Sequence, residues 1–307
     1  EPDRPQPGGE AQGLGLPGRL SAPLPVTAAA LLEEAAAALA AAGVPDSRWD
    51  AERLLRHVLG WDRAALVAGP DRLVAPGDAA RLRALVARRA SREPLQHILG
   101  VQAFWKHEFL VTPAVLVPRP DTEVLVETAL RLIEGVARPV VVDVGTGSGC
   151  VALSIAAERP DAVVHATDVS PSALEVAVAN GRRLGLGGRV AFHLGHLLEP
   201  ISGPGGRGLE ASLVVSNPPY VDPAERDALA PEVRDHEPAL ALFPPGDALS
   251  VYRVLAPAAA RLLASGGALA VEIGPTLAPA VREILEAAGF EGIAVVPDLA
   301  GRPSVVS

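Results

Sequence analysis

The chain has 307 residues, of which 49% are hydrophobic and 21% charged, and this balance excludes a disordered or collagen-like protein. A formal net charge of -9 argues against a protein that coats nucleic acid or an anionic membrane, because both attract basic surfaces. The single cysteine cannot form an intramolecular disulfide, which is typical of a protein from a reducing compartment.

The N-terminal part of the chain changes from a turn-rich to a helical pattern. Residues 1–25 are rich in proline and glycine and are predicted to form a flexible tail. An alanine-rich helix follows and is expected to stop at Gly43, and a second helix is expected to begin at Asp46 or Ser47. With a further arginine-rich amphipathic helix, residues 26–92 are predicted to form a small helical bundle.

The pattern changes again in the remainder of the chain. Residues 93–120 carry β-branched and aromatic residues and are predicted to form a linking strand or hairpin. From residue 121 to 307, helical patterns alternate with short apolar runs, at 140–145, 163–168, 189–195, 211–220 and 267–274. This alternation predicts an α/β domain with a doubly wound, mostly parallel sheet.

A glycine-rich loop, residues 145–149, follows the first of these strands and precedes a helix. Its glycines allow positive φ angles and close approach of a ligand to the backbone, and the helix N-terminus offers free N–H groups. Both features suit a nucleotide-like cofactor. The spacing is Gly-x-Gly-x-Gly, unlike the dinucleotide-binding pattern, and a plain tight turn is the alternative interpretation.

Two polar positions follow later strands. Asp168 ends its strand where a carboxylate can bind both ribose hydroxyls, although it or Ser170 could instead cap the next helix. The tetrapeptide 217–220, Asn-Pro-Pro-Tyr, combines an amide and an aromatic face with two residues that lack N–H donors. Such a segment can bind a planar amide or amino group. Its position after the glycine loop and Asp168 favours this interpretation over an ordinary proline turn.

The order of these three elements resembles that of the class I methyltransferases, which use S-adenosylmethionine. The resemblance narrows to the peptide chain release factor glutamine methyltransferases, on PLQHILGVQAFWKHEFLVTPAVLVPRPDTEVLVE, DVGTGSGCVALSIA, SNPPYV, GGALAVEIG and DLAGRPSVV. It covers nearly everything after residue 25. It implies a seven-stranded sheet with an antiparallel edge strand near the C-terminus, for which residues 267–274 and the last apolar segment are candidates.

The resemblance also implies a reaction and its residues. The reaction is methyl transfer from S-adenosylmethionine to N5 of the glutamine in the Gly-Gly-Gln loop of release factors 1 and 2, which the helical domain would dock. The implied cofactor-binding residues are Gly145, Thr146, Gly147, Ser148, Gly149, Asp168, Asn217 and Leu197. The implied substrate-binding residues are Asn217, Pro218, Pro219 and Tyr220, of which Asn217, Pro218 and Tyr220 are catalytic.

In the mechanism we expect, the Asn217 side-chain oxygen and the Pro218 carbonyl accept the two N–H bonds of the substrate amide while Tyr220 packs on its plane. The family commonly has an acidic-aromatic pair where this chain has His196-Leu197. We expect Cys150 to be a packing residue, because direct transfer needs no covalent intermediate.

Three other interpretations remain open. Arg119 and Glu237 match the family pattern and either close the active site or lie in solvated loops.

An enzyme with the same motifs could methylate adenine N6 or guanine N2 of a nucleic acid, which the acidic charge disfavours. It could also methylate a ribosomal-protein glutamine, which the sequence PRPDTE over 118–123 disfavours. A cofactor-binding or partner-binding module without activity is the alternative from another class. We expect a cytoplasmic monomer that binds no metal, membrane or nucleic acid.

Overall fold

The computed structural model describes residues 26–202 and 209–307, so the predicted flexible tail over 1–25 lies outside the described residues. The first part is a helical bundle, closed on one side by a short antiparallel pair of strands. Its strands are β1 (Val26–Thr27) and β2 (Leu73–Val74), and its helices are α1 (Ala28–Ala41), α2 (Ser47–Leu59), α3 (Arg63–Ala68), α4 (Pro76–Ala90) and α5 (Leu95–Leu99). Sequence reasoning did not predict α3 or the strand pair, which are too short to show a period. It also assigned α5 to the strand or hairpin of residues 93–120, whereas Leu95 and Ile98 pack in the bundle core.

Local signals explain where the first helices begin and end. The Thr27 hydroxyl accepts a hydrogen bond from the backbone N–H of Ala30 at 3.2 Å, which caps α1. Gly43 has a φ of +73° just beyond the end of α1, as a glycine after a helix commonly does. Leu54 and Leu82, on α2 and α4, are buried in the bundle core, so the apolar stripes of these helices face one another.

A β-hairpin connects the bundle to the rest of the chain. Its strands, β3 (Val101–Phe104) and β4 (His107–Leu110), pair antiparallel. Phe104 and Phe109 are almost wholly buried among the apolar residues of the sheet domain, and their rings meet edge to face. The hairpin is therefore anchored on the sheet domain. A 3₁₀ helix, Pro120–Thr122, then leads into the first helix of that domain.

The sheet has seven strands in the order β10-β11-β9-β8-β5-β6-β7 and is mostly parallel, which confirms the predicted fold class. The strands are β5 (Val140–Val144), β6 (Val163–Asp168), β7 (Val190–Leu194), β8 (Ala211–Ser216), β9 (Leu263–Glu272), β10 (Val295–Pro297) and β11 (Pro303–Val306). The helices are α6 (Glu123–Leu132), α7 (Cys150–Glu158), α8 (Pro171–Arg183), α9 (Glu199–Ser202), α10 (Pro231–His236), α11 (Ala239–Leu242), α12 (Ser250–Leu262) and α13 (Ala278–Ala287), with a 3₁₀ helix at Pro223–Ala228.

One of the two candidates for the antiparallel strand is wrong. The strand that holds residues 267–272 is β9, which pairs parallel with β8, whereas β11 pairs antiparallel with β9. The expected edge position is also wrong, because β10 pairs with the other side of β11 and forms the edge. β9 also begins at Leu263, earlier than its apolar run suggested. Two glycines and a serine in its first half hide its start, because such residues are rare inside strands.

Alternate strand residues face opposite layers of helices. Val141 packs in the cluster that contains α6 and α7, whereas its neighbour Val142 packs in the cluster that contains α12 and α13. Because β5, β6, β7 and β8 run parallel, their carboxyl ends meet at one edge of the sheet. Of the helices in the described ranges, none is long and apolar enough to cross a membrane.

Candidate active site

A cavity of about 900 Å³ opens at the carboxyl ends of the central strands. It lies beside β5, where the chain order of the sheet reverses and where open α/β sheets bind their ligands. The predicted site residues that line it are Gly145, Thr146, Gly147, Ser148, Asp168, Leu197, Asn217, Pro218 and Pro219. Gly149 and Tyr220 are not among its lining residues. The fold thus brings most of the predicted positions together.

The glycine loop is held in shape by the neighbouring strand. The backbone N–H groups of Gly145 and Thr146 both donate to the carbonyl oxygen of Thr167, at 2.9 Å each. Gly147 has a φ of +55°, and a Cβ there would meet nothing within 4 Å, so the backbone is open toward the cavity. The loop is therefore fixed in a conformation that leaves its backbone exposed to the cavity, and its binding of a ligand stays a prediction.

A buried carboxyl group supports the loop from behind. One Asp143 oxygen accepts hydrogen bonds from the Thr146 hydroxyl at 2.7 Å and from the Ala152 backbone N–H at 3.1 Å. Burial raises the pKa of Asp143 to about 7, although these two hydrogen bonds oppose the rise. Asp143 therefore fixes the start of α7 relative to the loop.

Asp168 lies between the loop and the next helix. One carboxylate oxygen accepts from the Gly147 backbone N–H at 2.8 Å, and the other accepts from the Ser170 backbone N–H at 2.9 Å. The Ser170 hydroxyl accepts from the Ala173 backbone N–H at 3.2 Å, so Ser170, not Asp168, caps α8. Since Asp168 lines the cavity and a carboxylate has further lone pairs, it can still accept hydrogen bonds from a ligand.

Two predicted residues have packing surroundings instead. A Cβ at Gly149, whose φ is +80°, would lie 3.0 Å from Leu153 Cδ1 and 3.2 Å from Ala177 Cβ, so this glycine lets α7 and α8 approach. Tyr220 packs with the apolar cluster beneath the cavity and against Gly274, and burial raises its pKa to about 12. The binding roles of both residues stay predictions.

Asn217 follows β8 directly and is oriented by a residue from a distant segment. Its side-chain nitrogen donates to the Thr122 hydroxyl at 3.2 Å, and Thr122 is buried and also lines the cavity. Ser216, the residue before, donates through its hydroxyl to the Val144 carbonyl at 2.7 Å and joins the ends of β8 and β5. Among the described residues the Asn217 side-chain oxygen has no hydrogen-bond partner, so it can accept a bond from a ligand.

Arg119 and Glu237 form an ion pair beside the same residues. One Arg119 nitrogen lies 2.7 Å from both carboxylate oxygens of Glu237. The Glu237 side chain is 1% exposed, which rules out the solvated-loop interpretation for this residue. Burial raises the pKa of Glu237, and Arg119 opposes that rise. The pair ties the segment after the hairpin to the segment that contains Pro238, a lining residue.

Leu197 and Cys150 both line the cavity, in different surroundings. Leu197 has a φ of +46°, a conformation uncommon for a leucine, and its side chain packs at the edge of the second apolar cluster. Cys150 is buried, and burial raises the pKa of its thiol to about 12, so the thiol stays protonated at neutral pH. A protonated buried thiol is a poor nucleophile, which agrees with the packing role expected for Cys150.

Sequence reasoning gave no role to three residues that shape the site: Asp143, Thr122 and Glu272. Glu272 is buried at the carboxyl end of β9, beside Asn217. One signal was available for two of them, because an acidic residue that interrupts or ends an apolar strand requires a polar partner inside the protein. Nothing in the local sequence distinguishes Thr122.

The lining suits a cationic nucleoside cofactor such as S-adenosylmethionine. Asp168 offers carboxylate oxygens for ribose hydroxyls, and Leu197 offers an apolar surface for a base. Two lining residues at this end, Asp143 and Asp168, are acidic, and in the described ranges Arg119 is the one arginine of the lining. The residues present therefore fit a positively charged sulfonium. The described residues contain no group of three or more His, Cys, Asp or Glu side chains placed to hold a metal ion.

Comparison with protein families and known structures gives consistent results. The family model described as PrmC N-terminal domain matches residues 30–100, and the methyltransferase small domain model matches residues 120–235. A release factor glutamine methyltransferase from Cereibacter sphaeroides is 43% identical over 91% of this chain and 97% of its own. Another, from Moorella thermoacetica, is 44% identical over 88% of this chain and 94% of its own. Among solved structures, a methyltransferase from Pyrococcus furiosus shares the fold, with 19% identity over 72% of this chain and 96% of its own and a TM-score of 0.50.

Proposed function

The chain belongs to the release factor glutamine methyltransferase family, and we propose that it transfers a methyl group from S-adenosylmethionine to N5 of a release factor glutamine. The glutamine is that of the Gly-Gly-Gln motif in peptide chain release factors 1 and 2. S-adenosylmethionine, when bound, supplies an electrophilic methyl group. The chain's own residues must bind and orient the amide that receives it.

The orientation of Asn217 carries this proposal. Its side-chain nitrogen donates to Thr122, which leaves the side-chain oxygen to accept from a substrate N–H. Pro218 and Pro219 have no N–H groups, so this stretch of backbone offers acceptors alone. A primary amide has two N–H bonds, and we assign the Asn217 oxygen and the Pro218 carbonyl as their acceptors.

These acceptors address the main chemical difficulty of the reaction. An amide nitrogen is a poor nucleophile because its lone pair is delocalised into the carbonyl group. Positive charge develops on the nitrogen during transfer, and two fixed acceptors stabilise that charge more strongly than they stabilise the neutral amide. They also point the nitrogen toward the methyl group, which reduces the entropy lost on reaching the transition state. Tyr220, which packs with the apolar cluster that contains α12 and α13, supports this segment in our proposal.

We assign the cofactor to the opposite end of the cavity. Its binding residues are Gly145, Thr146, Gly147, Ser148, Asp168 and Leu197, with Gly149 allowing the close approach of two helices. In this assignment Asp168 accepts the ribose hydroxyls while it also orders the loop through Gly147. Leu197 takes the adenine side, where the family's acidic-aromatic pair is absent.

The helical bundle, residues 26–92, is proposed to dock the release factor next to the methyltransferase domain, residues 121–307, with residues 93–120 as the linker. Ion pairs between the two parts support this arrangement: Glu232 accepts from Arg89 at 2.9 Å and from Arg92 at 2.8 Å. Arg89 is itself buried and paired with Asp50 of α2 at 2.6 Å. The bundle is thus joined to α10, the helix that contains Glu232 and follows the Asn-Pro-Pro-Tyr segment in the chain. We place the enzyme in the cytoplasm, where release factors act, and its monomeric state stays a prediction.

The experiment that tests this function uses the full chain, S-adenosylmethionine and a release factor produced without methylation. Peptide mass spectrometry is expected to find one added methyl group, on the glutamine of the Gly-Gly-Gln motif. A release factor whose motif reads Gly-Gly-Asn is the matched control, because its amide is one methylene closer to the backbone and falls short of the acceptors.

Parallel incubations separate this function from the alternatives. A ribosomal protein and an adenine-containing duplex DNA are offered under the same conditions, and neither is expected to gain a methyl group. The net charge of -9 supports the expectation for DNA. Methylation of the DNA but not the release factor would contradict the proposal, as would cofactor binding without any transfer.

A further inference from the structure

Glu272 lies directly behind the amide-binding residues without lining the cavity. It is the last residue of β9, and the parallel pairing of Ser216 with Val271 brings it beside Asn217. Its side chain is buried, at 4% exposure for the residue. One carboxyl oxygen, Oε2, is buried without a hydrogen-bond partner in the part of the chain that the structure describes. A carboxyl group is kept in such surroundings at a cost, so a role is expected for it.

Thr122 and Asn217 are the polar groups that contact this carboxyl group. Burial raises the pKa of Glu272 to about 7, and hydrogen bonds from the Thr122 and Asn217 side chains oppose the rise. Asn217 also donates to the Thr122 hydroxyl oxygen. The hydrogen bond of 3.2 Å joins Asn217 to Thr122, and Glu272 lies beside both as a further acceptor, so the three side chains form a polar network with Glu272 at its buried end and Asn217 at its cavity end.

An ionised carboxylate can only accept hydrogen bonds, and this fact sets the direction of the whole network. The Thr122 hydroxyl must give its proton to Glu272, so its oxygen is left to accept from Asn217. The Asn217 nitrogen then faces Thr122 and Glu272, and the Asn217 oxygen must face away from them. That oxygen is the atom the substrate N–H requires.

We propose that Glu272 is a positioning residue, which acts through Thr122 and directly on Asn217 to present the Asn217 oxygen to the substrate amide, and that turnover requires Glu272 to be ionised. This inference rests on the proposed function, since it concerns how the same site holds its substrate.

Protonation of Glu272 reverses the direction of the network. A protonated carboxyl group can donate to Thr122 or to the Asn217 oxygen, and the orientation of the Asn217 amide is then no longer imposed. An amide turned the other way would place its own N–H bonds against those of the substrate. Because the pKa of Glu272 is about 7, turnover is expected to fall as the pH falls below that value.

Several other ionisable groups lie around Glu272. Asp121 raises the pKa of Glu272 and Arg119 lowers it. Tyr220, Tyr252 and Cys150 face Glu272 as well, and the pKa of each is raised, so all three stay neutral when Glu272 ionises. Asp143 also titrates near pH 7, but it lies behind the glycine loop. The pH dependence of kcat for the wild-type chain alone would therefore not distinguish titration of Glu272 from titration of Asp143.

The test measures kcat from pH 5.5 to 9, with the full chain, saturating S-adenosylmethionine and saturating unmethylated release factor. Wild-type kcat is expected to rise about tenfold per pH unit and to level off above about pH 7. Glu272→Gln keeps the size of the side chain and cannot ionise. Because it mimics the protonated carboxyl group, it is expected to lose this acid limb and to show a pH-independent kcat at least about 30-fold below the wild-type plateau, as low as wild type at pH 5.5.

Thr122 supplies a second pair of variants that does not depend on Glu272→Gln folding normally. Thr122→Val has the same shape without the hydroxyl and is expected to lower kcat about 10- to 100-fold, whereas Thr122→Ser keeps the hydroxyl and should stay within about threefold of wild type. Tyr252→Phe is the packing control. Its hydroxyl donates at 2.8 Å to the backbone carbonyl of Glu272, not to the carboxyl group, so its acid limb should remain.

The outcomes separate two kinds of failure. If the wild-type chain methylates no release factor glutamine at any pH, the proposed function is wrong. If the wild-type chain is active and Glu272→Gln retains the acid limb, the inference about Glu272 is wrong, and the limb belongs to another group such as Asp143. Equal kcat values for the Thr122→Val and Thr122→Ser variants would overturn it as well.

Discussion

The two ends of the cavity are built in different ways. The end assigned to the cofactor uses residues 143–170 together with Leu197, and the hydrogen bonds of the Asp168 carboxylate with Gly147 and with Ser170 span 21 and 2 positions. The end assigned to the amide uses contacts between distant segments, because Asn217 bonds to Thr122 across 95 positions. Arg119 and Glu237 are 118 positions apart.

Because of this difference, we expect substitutions at one end of the cavity to leave the function of the other end largely unchanged. A loop ordered by its own neighbours depends on a short stretch of sequence and on one helix start. A substrate site assembled from the hairpin exit, β8 and β9 depends on the complete sheet. Loss of one amide-side contact should therefore slow transfer while cofactor affinity is kept. Loss of a contact in the glycine loop should weaken cofactor binding, with transfer largely recovered at saturating cofactor.

The largest effect is expected from Asn217→Ala, which removes the side-chain acceptor. We expect kcat for release factor methylation to fall roughly 100- to 1000-fold, as for the loss of other groups that stabilise developing charge. S-adenosylmethionine affinity, measured by calorimetry, should change by less than about threefold, because the loop contacts remain. A wild-type rate would contradict the role of Asn217, and a large loss of affinity would show that the two ends are not independent.

A smaller effect, confined to the other end, is expected from Asp168→Ala. The substitution removes the proposed ribose acceptor and the partner of the Gly147 N–H, and the S-adenosylmethionine Kd should rise about 10- to 100-fold. Asp168→Asn keeps one acceptor oxygen and should give an intermediate Kd. Saturating cofactor is expected to restore most of kcat in both variants. Unchanged affinity would argue against the ribose role, and a kcat that stays low would connect Asp168 to the amide end.

The smallest effect is expected from a matched pair of glycine substitutions within the loop. Gly149→Ala places a Cβ 3.0 Å from Leu153 Cδ1 and should lower the free energy of unfolding by about 1–2 kcal/mol. Gly147→Ala meets nothing within 4 Å and should be destabilising by only about 1 kcal/mol, through its positive φ, but its Cβ enters the cofactor side. Denaturant titration and calorimetry together test this division. Equal effects of the two variants on both quantities would contradict it.

The same contrast explains what could be predicted from sequence. The strands β5, β6, β7 and β8 are recognisable in the sequence as apolar runs. The glycine loop and Asp168 lie at the ends of two of these runs, so their positions could be predicted as well. The short helices α3, α9, α10 and α11 escape prediction because each has six residues or fewer, too few to establish a hydrophobic period. Their conformations depend on the neighbours against which they pack.

On the amide side, the sequence identifies Asn217 but not the residues that orient it. Glu272 meets Asn217 only after β8 and β9 have paired, and Thr122 reaches Asn217 from a 3₁₀ helix 95 positions earlier in the chain. Tyr220 also has surroundings that its position next to a binding motif did not indicate, because it packs against Gly274, and its binding role stays a prediction. The order and spacing of residues along the chain indicate the type of reaction. The order of strands in the sheet determines which side chains come into contact.

The single cysteine has a practical consequence. Cys150 is buried, and its thiol has a pKa of about 12, so it is almost entirely in the unreactive thiol form at assay pH. The demethylated cofactor yields free homocysteine when a hydrolase is added. A chromogenic thiol reagent can then count turnovers continuously with no background from the native enzyme, and a slow colour change without substrate would report unfolding of the glycine loop.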